Sequence, residues 1–70
     1  MMPLILADPG EEAVIKRVGG SPEMKKHLED LGFVAGETVL VISEINGDII
    51  VKVKGSRIAV SREMAGKIMI

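Results

Sequence analysis

The chain has no cysteine, no tryptophan, no tyrosine and a single phenylalanine among its 70 residues. Without thiols there can be no disulfides and no thiolate metal site. One histidine is too few for a His-based structural zinc. The shortage of aromatics leaves no stacking platform for nucleic acid and no aromatic groove for Pro-rich peptides, so a peptide groove would have to be aliphatic. Charge of one sign is missing too: 9 basic residues stand against 10 acidic, a net −1, where a phosphate-backbone binder needs a basic field. There is no GxxxxGK[ST] phosphate loop, and no serine or carboxylate has a base at recognisable spacing. No catalytic residue, cofactor site or metal site is therefore assigned, and an enzyme is not expected. No apolar run approaches the roughly 20 residues that span a bilayer. The opening Met1-Met2-Pro3-Leu4-Ile5-Leu6-Ala7-Asp8 lacks a basic n-region, so a cytoplasmic location is expected.

What the chain does have is aliphatic bulk. Hydrophobic residues make up 47% of it, nearly all Val, Ile, Leu, Met and Ala. Residues 1–70 are read as one small domain. A chain this short cannot bury all of that surface, so an exposed apolar patch, the usual mark of an interaction site, is expected.

Taken in order, Met2 to Ala7 reads as a short strand or extended arm, and Asp8-Pro9-Gly10 as a turn. Glu11 to Val18 alternates and reads as one strand, with Ala13, Ile15 and Arg17 facing one way and Val14, Lys16 and Val18 the other. Gly19-Gly20 ends it. Ser21-Pro22-Glu23 opens a helix: Ser at the N-cap, Pro in the first position and an acid near the positive end of the helix dipole. Met24, Leu28 and Leu31 form its apolar stripe, and Gly32 is the left-handed residue that stops it. Glu37 to Ile45 alternates with Val39, Val41, Ser43 and Ile45 in one row. Asn46-Gly47 is a hairpin turn, and Asp48 to Lys54 is the partner strand. Gly55-Ser56 reads as a second tight turn, Arg57 to Val60 as a strand, Ser61-Arg62-Glu63 as a capped helical turn, and Lys67 to Ile70 as a closing strand. The expected fold is mainly β: a small barrel of about five strands, with one helix after the first strands and a helical turn before the last.

Several residues invite a functional reading. Glu23 and His27, at i and i+4, make at most a weak surface metal pair, and no metal site is assigned to them. Lys52, Lys54, Arg57 and Arg62 form either a solvated face or a basic surface for an acidic protein or for anionic lipid headgroups. Phe33 is either a plug under the helix or an exposed knob for a partner.

The run Leu28-Glu29-Asp30-Leu31-Gly32-Phe33-Val34-Ala35-Gly36-Glu37-Thr38-Val39 organises the chain. Together with Asp8-Pro9-Gly10, Val51 to Val60 and Ser61-Arg62-Glu63-Met64-Ala65, it resembles the ferrous iron transport protein A (FeoA) family over nearly the whole length. The resemblance implies an SH3-like β-barrel and a small cytosolic accessory role beside FeoB, the ferrous-iron permease that carries a GTPase domain. It implies modulation of that permease by docking, with no nucleic-acid partner and no membrane span of its own. The residues expected at the contact are Leu28, Leu31, Gly32, Phe33, Val34, Ala35 and Gly36, with Lys54, Ser56 and Arg57. A relative of the C-terminal domain of diphtheria-toxin-type repressors, acting in transcription, is the alternative. Self-association into a homo-oligomer is a third reading.

Overall fold

The computed structural model describes residues 1–70. Its backbone is two antiparallel sheets around one core. Strands β1 (Glu12–Val14), β3 (Thr38–Ile45), β4 (Asp48–Val53) and β5 (Ser56–Val60) form a four-stranded sheet in the order β1-β3-β4-β5. Strands β2 (Arg17–Val18) and β6 (Ile68–Met69) form a two-stranded sheet. Helix α1 (Pro22–Asp30) lies between β2 and β3, and the single turn α2 (Arg62–Ala65) lies between β5 and β6. The chain ends meet through paired bonds, Met2 N–H to Ile70 O at 2.9 Å and Ile70 N–H to Met2 O at 2.8 Å. This is the small mainly-β architecture expected, with six strands instead of about five.

The local signals worked where chemistry is strict. Ser21 Oγ accepts from the Met24 amide at 3.2 Å, and Ser61 Oγ from the Met64 amide at 3.2 Å, so both serines are N-caps. Asn46 and Gly47 take φ of 51° and 87°, the left-handed pair of a type I′ hairpin.

Four expectations need correction. Met2 to Ala7 is not a strand: Leu4–Leu6 is a 3-10 turn, which buries Leu4 and leaves Leu6 exposed. Glu11 to Val18 is not one strand. The backbone changes sheets at Ile15 and Lys16, whose amides donate to Glu37 O and to Met69 O respectively. The corner breaks the alternation, so Ile15 and Val18 are both buried while Val14 is half exposed.

In β3 the register shifts between Val41 and Ser43, with Ile42 as the extra residue of a bulge. Val39 and Val41 face the core, but Ile45 emerges at 55% exposure. The β4–β5 turn is Lys54-Gly55, not Gly55-Ser56, with φ of 50° and 78°. A two-residue turn of this kind needs two left-handed residues, and Lys54 supplies the first.

The core holds Leu4, Ile15, Val18, Leu28, Phe33, Val39, Val41, Ile49, Val51, Val53, Val60, Ala65, Ile68 and Ile70. It is aliphatic apart from Phe33, which is completely buried.

Candidate functional site

The helix end is built as a Schellman motif. The Gly32 amide donates to Glu29 O at 3.0 Å and the Phe33 amide to Leu28 O at 2.9 Å. Gly32 has φ +108° and Leu31 caps the helix. The motif brings Leu28 and Phe33 together in the core, both fully buried. Gly32 is buried as well, so three residues of the expected contact lie beneath the surface, and Phe33 is the plug. Leu31 and Val34 are half-buried, while Ala35 and Gly36 are exposed. The turn is held by Val34 N–H to Gly32 O, Glu37 N–H to Val34 O, and Gly36 N–H to Ile15 O at 2.8 Å.

The β4–β5 turn approaches this loop from the side. A Cβ built on Gly32 would lie 3.5 Å from Lys54 Cδ and 3.8 Å from Val53 Cγ1, so the Lys54 stem runs alongside Gly32. The structure thus brings Leu31, Gly32, Val34 and Lys54 into one region. Ser56 and Arg57, both exposed, continue from it along β5. Arg62 does not join them. It reaches across to Glu44, with Nη1 3.9 Å from Oε1.

An open groove of about 320 Å³ lies on the outer face of β1, β3 and β4. Glu12, Glu37, Lys52 and Lys54 line it with Thr38, and Leu40 is its one hydrophobic residue. The groove is polar, and it is not the aliphatic kind that a peptide-binding groove in this chain would have to be. The outward positions of paired strands explain it: Glu12 pairs with Leu40, Leu40 with Lys52, and Lys52 with Arg57. That cross-strand row was not visible in the sequence, because it depends on strand order and on the bulge. His27 and Glu23 are both exposed on α1, and no group of three metal-binding side chains forms anywhere. No helix is long and apolar enough to cross a membrane.

Comparison with known proteins gives a consistent answer. The family model described as FeoA domain matches residues 2–70. A Methanocaldococcus jannaschii protein provisionally named Fe(2+) transport protein A is 37% identical over 70 residues, 100% of this chain and 85% of that one. A crystal structure of an iron uptake regulatory protein, FeoA, superposes with TM-score 0.88 at 28% identity, covering 96% of this chain and 89% of the other. A zinc-complexed FeoA of Stenotrophomonas maltophilia, described as a prokaryotic SH3 domain protein, superposes with TM-score 0.86 at 24% identity. It covers 99% of this chain and 88% of that one, a likeness that identifies the fold as SH3-like.

Proposed function

The chain belongs to the FeoA family of small SH3-like proteins related to ferrous iron transport, and on that premise we propose that it is an accessory protein that docks on the ferrous-iron permease FeoB and modulates its uptake activity. It acts at the cytoplasmic face, through protein contact and without catalysis of its own. The observation that supports a docking role is the meeting of two turns. Val34, Ala35 and Gly36 are held out from a rigid helix end, and Lys54 lies against its cap. A preformed loop on a packed scaffold loses little entropy on binding. Leu28 and Phe33 support the surface from beneath.

The test is co-purification from detergent-extracted membranes, with captured proteins identified by mass spectrometry. Wild type should retain the GTPase-bearing permease. Ala35→Arg, whose side chain leaves an exposed position, should lose it at unchanged thermal stability. Capture of a DNA-binding repressor in place of the permease would support the transcriptional reading. Undiminished capture by Ala35→Arg would remove this turn from the contact.

A further inference from the structure

The outer edge of the four-stranded sheet is open. β5 is the terminal strand beside β4, and four of its five residues, Ser56, Arg57, Ile58 and Ala59, are exposed or half-exposed. Its turn has two residues, so Val53 and Ser56 close the hairpin as a hydrogen-bonded pair. Alternation then directs the backbone groups of Ser56, Ile58 and Val60 to β4, and those of Arg57 and Ala59 outward. No turn, cap or loop hydrogen bond involves Arg57 or Ala59. The edge therefore offers two N–H and C=O sets to solvent.

The side chains beside that edge are mismatched. Lys52 and Arg57 are direct cross-strand partners in a non-hydrogen-bonded pair, where side chains stand closest. Like charges placed so are destabilising. The two ion pairs of the molecule, Lys26 with Asp30 and Arg62 with Glu44, involve neither residue. Glu12 lies in the same row but two strands away from Lys52. A strand added outside β5 would place one residue opposite Arg57, one opposite the half-buried Ile58 and one opposite Ala59, whose own partner is Ile50.

We infer that the β5 edge receives an extended segment of another protein by strand addition, and that the segment is acidic opposite Arg57 and aliphatic opposite Ile58 and Ala59. Main-chain bonds to Arg57 and Ala59 supply the pairing, and the carboxylate neutralises the Lys52–Arg57 pair. A second copy of this chain is a poorer occupant. Joining two β5 edges antiparallel through both outward sets would set each Arg57 opposite Ala59 of the other copy and leave the Lys52–Arg57 pair without a carboxylate. The β1 edge, which carries Glu12, is three residues long and turns into the second sheet at Ile15, too short to pair with the five residues of β5. The edge shares Ser56 and Arg57 with the contact that the resemblance implies but lies beyond the exposed Val34–Gly36 turn, and its occupant need not be the permease.

The test is an NMR titration of the full chain with the acetylated peptide Thr-Val-Ile-Val-Glu-Val-Asp-Thr, and with a control carrying Lys for Glu and Asp. Saturable shifts should run along Ser56–Val60, and the Arg57 and Ala59 amides should gain at least tenfold protection from hydrogen exchange. The control peptide and the Arg57→Glu protein should each bind at least tenfold more weakly. Ala59→Pro, which deletes an outward donor and spares the β4 ladder, should abolish protection at Arg57. Equal binding of the two peptides, shifts confined to other elements, or Arg57 and Ala59 amides that still exchange freely at saturation would each overturn the inference. So would a concentration-dependent mass showing self-association through β5. The peptide readout is independent of permease capture, so either result can fail without the other.

Discussion

The amide of Phe33 donates to the carbonyl of Leu28 at 2.9 Å, and the side chains of both residues are fully buried. One contact thus ends the helix, aims the following turn and fills the core. The exposed loop is fixed by the same residues that stabilise the domain, which makes mutations there interpretable only with stability measured alongside.

Phe33→Ala should remove about 3–5 kcal/mol, the usual cost of truncating a buried aromatic. A domain of this size has little more than that to lose. Urea denaturation followed by circular dichroism should show the variant largely unfolded in buffer, with Phe33→Leu intermediate. A midpoint close to wild type for Phe33→Ala would contradict the plug.

Gly32→Ala should cost roughly 1–2 kcal/mol through backbone strain alone. The φ of +108° disfavours any side chain, while the space is adequate, since the nearest atom to a new Cβ is Lys54 Cδ at an ordinary 3.5 Å. Thermal unfolding should therefore show a lowered Tm with an unchanged fold by NMR.

Ser21→Ala and Ser61→Ala should each cost about 1 kcal/mol by exposing amides that the hydroxyls now accept from. The two caps belong to different helices and share no partner, so the double variant should show the sum. Equilibrium denaturation of the four proteins checks it.

Ile45→Ser should change stability by no more than about 0.5 kcal/mol, as at other exposed positions. Ile49→Ala, by contrast, removes a fully packed side chain and should cost about 2–5 kcal/mol. Ile45 is 55% exposed and Ile49 is 2% exposed. The pair measures, by denaturant midpoints, whether the bulge in β3 turns Ile45 out of the core.

Much of this fold can be read from local chemistry. Ser21-Pro22 and Gly32 bracket α1, Ser61 starts α2, and Asn46-Gly47 makes the first hairpin, because caps and left-handed turns depend on residues a few positions apart. The rows of β4 are readable for the same reason: Ile49, Val51 and Val53 alternate inward and meet no irregularity.

What the sequence by itself determined, then, is the two capped helices, the Asn46-Gly47 hairpin, the mainly-β class, the absence of thiol chemistry and the resemblance to a family. Tertiary structure decided the rest. The corner at Ile15 and the bulge at Ile42 each change which side of a strand a residue faces, and the Lys54-Gly55 turn sets Arg57 opposite Lys52. The corner and the bulge arise because a sheet this small must bend around its core, and that bending has no local periodicity. The same global closure sets Gly32 against Lys54 and lines up Glu12, Leu40, Lys52 and Arg57 across four strands. Residues far apart in the chain acquire a shared surface only when the strand order places them side by side.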